Sequence, residues 1–305
     1  MKTILPGQPH HVYQRSFDRG LLFYTAADVL TYFTIYMTYA RLFEITVLGV
    51  CPMRDHVHGM IIPPSKEMMS KFEGATNRAY AVEFNIDTGT KGPIFEHSYS
   101  FAARKDLKKI RSSLIYLYNN PVEKHLCNKA IDARWNFLAY GFSPNPFSEP
   151  LIIRKASTPM KKCITEVRYL RSQNKYLNQR IIHRMFKNLG TRERLQLTDF
   201  IVVTYSAIDY QKLFSFWKSP EQMLTAMNST TGAEYDIGEK VNKALSDKAY
   251  STIAHFLEKD YGYKRAKDVL RLPERNRMSL LTELIIHTDA SEYQIKKFLH
   301  LDVGL

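Results

Sequence analysis

Cysteines are few in this sequence, and long apolar runs are missing. Three cysteines, at positions 51, 127 and 163, occur among 305 residues, without the even count of a disulfide framework or any C-x-x-C spacing. The chain opens without a leader of basic, then apolar, then small residues. Its longest apolar stretches, such as residues 42–51, fall well short of the roughly 20 residues that a membrane-spanning helix needs. These absences predict a cytoplasmic protein with reduced thiols and no membrane partner.

The composition is that of a folded protein. Hydrophobic residues make up 45% of the chain and aromatic residues 12%, which is ample for packed cores and excludes disorder of the whole chain. Since a typical domain uses roughly 150 residues, the length predicts two domains.

Positive charge is concentrated in the second half. The chain carries a net charge of +13, and residues 154–194 contain twelve Lys or Arg against only Glu166 and Glu193. Such a local field attracts polyphosphates, because each neutralised phosphate releases a counterion. Nucleic acid is therefore the predicted partner, and a solvated basic helix without a partner is the alternative.

The first part of the chain alternates strand and helix patterns. Strand patterns cover 11–17, 43–51, 57–62 and 94–101, and helix patterns cover 26–40, 67–84 and 104–119, the last stopped by Pro121. The order β-α-β-β-α-β with one extra helix predicts an α+β fold of the ferredoxin-like type. That fold hosts many unrelated functions, so it settles none of them.

The second part is predicted to be all-α. Three prolines between positions 143 and 150 mark a boundary. The residues beyond this boundary have helical patterns almost throughout, with residues 200–205 ambiguous. We therefore expect a first domain over 1–145, a basic linker over 146–175 and a helical DNA-binding domain over 176–305.

The end of the chain has the pattern of a helix-turn-helix at about 276–301. Ser291 and Gln294 have the spacing of a capping box, which predicts a new helix after a tight turn. That helix would bury its apolar residues and expose a polar face suited to the major groove. Any small helical bundle could show the same spacing. The predicted DNA contacts are Ser291, Tyr293, Lys296 and Lys297.

Two histidines form the first half of a candidate site. His56 and His58 stand two apart in a predicted strand, so both imidazoles project from one face and can reach one metal ion. The alternative is a structural pair, because the chain has ten histidines and His10 and His11 form another nearby pair.

The second half lies on a predicted helix. Tyr116 and Asn120 are four apart, hence on one face and roughly 6 Å along the axis. The Asn120 amide oxygen could complete a three-ligand site with open positions, which suits Mg²⁺ or Mn²⁺ as a Lewis acid, with zinc as the alternative. The Tyr116 hydroxyl would need a Lewis acid that polarises the phosphate, because a tyrosine with its usual pKa of about 10 is a poor nucleophile.

Residues 1–140 resemble the single-tyrosine HUH transposases, in particular the REP-associated tyrosine transposases. The resemblance rests on HVYQR at 11–15, CPMRDHVH at 51–58, GPIFE at 92–96, and Tyr116 followed by NPV at 120–122. It implies that His56 and His58 bind a divalent metal, that Tyr116 is the nucleophile and that Asn120 joins the metal site. Tyr118 is the competitor, but helical geometry turns it by about 200° from Tyr116.

The resemblance also implies an activity. Such a protein cuts and rejoins single-stranded DNA through a 5′-phosphotyrosine intermediate, as in DNA transposition and recombination. Its partner would be single-stranded or hairpin DNA, and it would act as a monomer or homodimer. The last thirty positions resemble the DnaA-type helix-turn-helix. Basic residues expected to contact the single strand are Arg15, Arg19, Arg54, Lys105, Lys108 and Lys109.

Two other functions remain open from the sequence. The chain could be a sequence-specific DNA-binding regulator with an inactive nuclease-like domain. It could also be a metal-dependent phosphodiesterase that hydrolyses DNA without rejoining it.

Overall fold

The computed structural model describes residues 3–96, 99–229 and 246–303. An α+β region is followed by a helical region, which confirms the coarse fold prediction. The strands are β1 (His10–Arg15), β2 (Thr46–Met53), β3 (His56–Ile62) and β4 (Ser100–Ala103). The helices of the α+β region are α1 (Ala26–Leu42), α2 (Lys66–Thr88) and α3 (Leu107–Glu123). Those of the helical region are α4 (Thr158–Ser172), α5 (Gln179–Lys187), α6 (Thr191–Tyr205), α7 (Tyr210–Phe214), α8 (Pro220–Ser229), α9 (Lys248–Lys259), α10 (Glu274–His287) and α11 (Glu292–Leu299).

The four strands form one antiparallel sheet in the order β2-β3-β1-β4. Along the chain the order is β1-α1-β2-β3-α2-β4, which is the β-α-β-β-α-β order of the ferredoxin-like motif. The extra helix α3 follows β4.

Several element boundaries differ from the sequence prediction. A strand was predicted over 94–101, but the fourth strand begins at Ser100. Phe95 forms only an isolated bridge to Ser16, and residues 97 and 98 lie outside the described ranges. Helix α3 does not stop before Pro121 but runs to Glu123. Only two helical residues follow the proline, so its missing N–H and its ring disturb just the last turn. The ambiguous residues 200–205 belong to helix α6.

The two faces of the sheet are covered differently. Side chains alternate along a strand, so each face receives every second residue. Val12, Val57 and Ile61 belong to the large apolar core that also contains residues of α1 and α2. The opposite face contributes Met60 and Cys51 to a second core, together with apolar residues of α3. Helix α3 therefore covers the face to which His56 and His58 belong.

Helix α3 is anchored by Tyr118. This side chain is fully buried, and its hydroxyl donates a hydrogen bond to the Leu48 carbonyl at 2.8 Å. Tyr118 thus points into the core, away from the side of the helix that carries Tyr116. The ring fits because position 49 is glycine: a Cβ there would lie 2.7 Å from the Tyr118 hydroxyl. The register of β2 against β3 shifts between Val47 and Gly49, next to this contact.

The helical region packs directly on the sheet domain. The expected linker over 146–175 contains helix α4, whose Met160, Cys163, Ile164 and Val167 are buried. They belong to the same core as residues of α1 and β1, so this part differs from the expectation of a linker. The limits of the predicted domains stay a prediction.

A buried lysine joins the two regions. Lys267 is 1% exposed, and its ammonium forms ion pairs with Asp28 of α1 and Asp87 of α2, the latter at 2.9 Å. Burial raises the pKa of Asp87, but Lys267 and Arg265 outweigh it and lower that pKa below its usual value.

The turn between α10 and α11 is built as predicted. The Ser291 side chain accepts from the Gln294 amide and the Gln294 side chain accepts from the Ser291 amide, which is a capping box. All three cysteines are free. No helix in the described part of the chain is both long enough and apolar enough to cross a membrane.

Glu73 of α2 gives the fold a testable pH dependence. Its side chain is 3% exposed, its Oε1 has no hydrogen-bond partner among the described residues, and burial raises its pKa from 4.5 to about 8. The folded protein therefore holds a proton that the unfolded chain releases. The free energy of unfolding should fall as the pH rises from about 4.5 to about 8.

Glu73→Gln should flatten this dependence, because an amide does not titrate, and its free energy of unfolding should exceed that of the wild type at pH 8. Urea unfolding at several pH values measures the pH dependence of the free energy of unfolding. Glu67→Gln, at an exposed position of the same helix, is the matched control. Equal pH dependence in the wild type and Glu73→Gln would contradict a neutral buried Glu73.

Candidate active site

The two histidines of β3 lie side by side beneath α3. His56 and His58 are both buried, and their ring centroids are 4.8 Å apart with the planes almost perpendicular. Their register partners on β1 are Arg15 and Tyr13, so these side chains share one face of the sheet. The Tyr13 ring lies 5.3 Å from the His56 ring and 4.9 Å from the His58 ring.

Each imidazole is held through its Nδ1 atom. The His56 Nδ1 lies 2.7 Å from the Asp55 Oδ1. The His58 Nδ1 lies 3.1 Å from the Nε2 of His11 on β1, and these two rings are stacked. The His58 Nε2 is buried and has no hydrogen-bond partner among the described residues. In both side chains, Nε2 is the nitrogen left for a ligand.

Burial keeps His11 and His58 neutral. It lowers the pKa of His11 to about 3, helped by the charge of Arg104. It also lowers the pKa of His58 well below its usual value, and repulsion from His56 adds to this effect. A neutral imidazole is the form that binds a metal ion. Burial raises the pKa of Asp55, but His56 and Lys297 outweigh burial and hold that pKa below its usual range.

Tyr116 lies beside these rings. Its side chain is half-buried, and its ring centroid is 5.3 Å from that of His58 and 5.8 Å from that of His11, edge-on to both. Tyr118 points into the core instead. The structure therefore brings Tyr116, and not Tyr118, to His58 and His11.

Asn120 lies one turn beyond Tyr116 and is 3% exposed. Its Nδ2 donates to the Tyr116 carbonyl at 2.8 Å, which leaves the amide oxygen as its remaining polar atom. An amide oxygen is a suitable ligand for Mg²⁺ or Mn²⁺.

The residues fit a divalent metal ion with open positions. The buried Nε2 of His58 without a partner is a nitrogen that a metal would satisfy. Within the described ranges, no group of three or more His, Cys, Asp or Glu side chains is placed to hold a metal ion. A metal here would therefore need other donors, such as the Asn120 oxygen or phosphate oxygens.

Two arginines belong to the same face. The Arg15 Nε donates to the Tyr13 hydroxyl at 2.8 Å. Arg104 directly follows β4, and its amide donates to the Pro9 carbonyl, which continues the pairing of β4 with β1 and puts Arg104 on the face of His11. The Nε and Nη2 of Arg104 are buried without a hydrogen-bond partner among the described residues. Burial lowers the pKa of Arg104.

The other basic residues predicted to contact the single strand differ in position. Lys105, Lys108 and Lys109 are exposed around the start of α3. Arg19 is half-buried in a turn after β1. Arg54 is half-buried, and its Nη1 donates to the carbonyls of Phe23 and Tyr24.

The predicted polar face of the last helix is only partly exposed. Lys297 was expected to face DNA, but it is 8% exposed and forms an ion pair with Asp55, so that expectation is wrong. The helix packs against the sheet domain, which the spacing within α11 does not encode. Lys296 pairs with Glu292, Ser291 caps the helix and Tyr293 is half-buried.

The basic side chains of segment 154–194 lie at the surface, as predicted. Eleven of its twelve Lys and Arg residues are exposed, and only Arg171 is half-buried. Arg184 and Arg192 pair with Glu166 and Glu149. The remaining charge forms a positive surface suited to phosphates.

Sequence reasoning missed three residues of this site. In the sequence, His11 stands out only as part of a histidine pair, and its role depends on the pairing of β1 with β3. Asp55 directly precedes His56, a position from which a supporting carboxylate could have been proposed. Nothing in the sequence distinguishes Arg104 from other basic residues.

Comparisons with known proteins give a structural match. No protein-family model matches the sequence, and no curated protein matches it. Among solved structures, a REP-associated tyrosine transposase bound to a REP hairpin matches with 14% sequence identity and a TM-score of 0.41, covering 47% of this chain and 84% of that chain.

Metal binding through His58 can be tested directly. Mn²⁺ should raise the free energy of unfolding of the wild type, by about 2.7 kcal/mol at one hundred times its dissociation constant. His58→Gln should remove this gain, and His255→Gln, at an exposed position of α9, should keep it. Thermal unfolding with increasing Mn²⁺ is the measurement. Equal stabilisation of wild type and His58→Gln would exclude His58 as a ligand.

Proposed function

We propose that this protein is a transposase-like DNA strand transferase that cuts and rejoins single-stranded DNA through a 5′-phosphotyrosine intermediate. The observation that carries the proposal is the position of Tyr116, whose ring is edge-on to that of His58, a histidine whose buried Nε2 has no hydrogen-bond partner among the described residues. A phenol beside an imidazole whose Nε2 has no partner among the described residues suits metal-assisted attack on a phosphate.

In the proposed reaction, one side chain is the nucleophile and three others bind the metal ion. His56, His58 and Asn120 would hold Mg²⁺ or Mn²⁺, which, when bound, supplies a Lewis acid for a phosphate oxygen. The Tyr116 oxygen attacks the phosphorus in line and forms a new O–P bond while the bond to the 3′ oxygen breaks. The phenol proton passes to solvent, and the leaving 3′ oxygen takes up a proton. The reverse reaction with another 3′-hydroxyl rejoins the strand, since the phosphotyrosine link keeps the ester bond.

Basic side chains around the site would guide the strand. Arg104 would bind a phosphate, because its buried guanidinium has donors without a partner among the described residues. Arg15 and the exposed lysines at the start of α3 would continue this path. Single-stranded DNA is the favoured substrate, since its unpaired bases can stack on aromatic rings such as Tyr13.

The helical region would bind duplex or hairpin DNA. The exposed basic residues of 154–194 support this assignment. Helices α10 and α11 would form the helix-turn-helix, and the side of α11 that carries Lys297 is covered by the sheet domain. A DNA contact of α11 would therefore use its other side, around Tyr293 and Lys296.

Two tyrosine variants test the nucleophile. The wild type, incubated with Mn²⁺ and labelled hairpin-flanked oligonucleotides, should give an adduct that survives denaturing gel electrophoresis. Tyr116→Phe should abolish the adduct, because it removes the attacking oxygen. Tyr118→Phe should keep the adduct but lose about 1 kcal/mol of stability, because it removes the bond to the Leu48 carbonyl.

The same gel separates the alternative functions. A cut product without adduct would indicate a hydrolase, and a shifted but uncut oligonucleotide would indicate a DNA-binding regulator. Loss of the adduct in Tyr118→Phe but not in Tyr116→Phe would reject the assignment of the nucleophile. His56→Ala should abolish the adduct through loss of the metal ligand.

Arg104→Met tests the phosphate contact. Removal of one ion contact to single-stranded DNA should reduce the slope of log affinity against log salt by about 0.7. Fluorescence anisotropy with a labelled single strand at several salt concentrations measures the slope. Arg78→Met, at an exposed position of α2, should leave it unchanged. An unchanged slope in Arg104→Met would remove Arg104 from the DNA path.

A further inference from the structure

The last helix of the chain reaches the candidate metal site. The Lys297 ammonium of α11 forms an ion pair with the Asp55 Oδ2, while the Asp55 Oδ1 lies 2.7 Å from the His56 Nδ1. One carboxylate thus contacts both a lysine near the end of the chain and an imidazole of the site. The two residues that it connects are more than two hundred positions apart in sequence.

Several contacts hold α11 in this position. The Tyr24 hydroxyl donates to the Phe298 carbonyl at 2.6 Å, and the two rings are edge-on with centroids 5.0 Å apart. The Leu21 amide donates to the Lys297 carbonyl at 3.3 Å. His300, directly after the helix, lies 2.9 Å from the Leu21 carbonyl through its Nε2. The main chain around Lys297 is therefore fixed to the segment before α1.

The ammonium is also held from the side. It lies 5.4 Å from the centre of the Tyr293 ring, one turn earlier on α11. With the side chain 8% exposed, Lys297 has little freedom to leave the carboxylate. The neighbouring Lys296, by contrast, pairs with Glu292 on its own helix.

We propose that Lys297 is a positioning residue of the nuclease site, which orients Asp55 so that Asp55 holds the His56 Nδ1–H and directs its Nε2 toward the metal ion. A metal-binding imidazole needs its other nitrogen held by an acceptor, which fixes both tautomer and ring orientation. The helical region would thus supply part of the metal site as well as a DNA-binding surface. This inference rests on the proposed function.

The experiment is a calorimetric titration of the full-length protein with Mn²⁺ alone. Loss of such a supporting contact typically weakens metal affinity by about 10- to 100-fold. Lys297→Met should weaken binding about 10-fold, and Lys297→Arg should restore part of it. The control variant Lys296→Met, which changes the residue next to Lys297 on the same helix, should bind Mn²⁺ with the affinity of the wild type. Since Lys297 acts through Asp55, the double variant Asp55→Asn/Lys297→Met should bind no more weakly than Asp55→Asn.

A second readout does not need the metal. In ¹H–¹⁵N spectra of the metal-free protein, with His56 assigned by His56→Gln, the wild type should show the tautomer protonated at Nδ1. Lys297→Met should mix the two tautomers, and Lys296→Met should not. If Lys297→Met failed to fold, Lys297→Gln would take its place in both experiments.

The outcomes separate this inference from the proposed function. Wild-type affinity in a folded Lys297→Met protein, or an unchanged single tautomer, would overturn the role of Lys297 while leaving the metal site intact. If the wild type bound no Mn²⁺, the metal site would fail, and the tautomer of His56 would still decide whether Lys297 positions it. Protonation of His56 at Nε2 in the wild type would overturn the inference directly.

Discussion

The rotation of helix α3 about its axis is the constraint on which the site depends. Tyr118 sets it by inserting into the sheet and bonding to the Leu48 carbonyl, at the point where Gly49 leaves room for the ring. With Tyr118 fixed inside, Tyr116 must emerge on the side of His58, because two residues along a helix turn the side chain by about 200°. The packing of Tyr118 in the core thus determines that Tyr116 faces the imidazoles.

The histidines, in turn, depend on groups from elsewhere in the chain. His11 supports His58 from the neighbouring strand, and Asp55 supports His56 from the turn before β3. Burial keeps His11 and His58 neutral and makes each unpaired polar atom costly. On this face of the sheet, the His58 Nε2 and the Nε and Nη2 of Arg104 are buried without a hydrogen-bond partner among the described residues, so a ligand that paired with them would remove that cost.

Local periodicity explains what the sequence could predict. A period of two placed His56 and His58 on one face, and a period of 3.6 placed Asn120 behind Tyr116 and turned Tyr118 away. These rules act within one element. They could not show which strand pairs with β3, and hence that His11 supports His58. Nor could they show that α11 docks on the sheet domain, so Lys297 was assigned to solvent although it is buried.

The buried Lys267 makes the sheet domain depend on the helical region. Its ammonium belongs to the helical region, but both carboxylates that neutralise it, Asp28 and Asp87, belong to the helices of the sheet domain. Replacing Lys267 would leave the Asp28 carboxylate buried without its counter-charge, which is strongly destabilising. The stability of the sheet domain therefore depends on a lysine of the helical region.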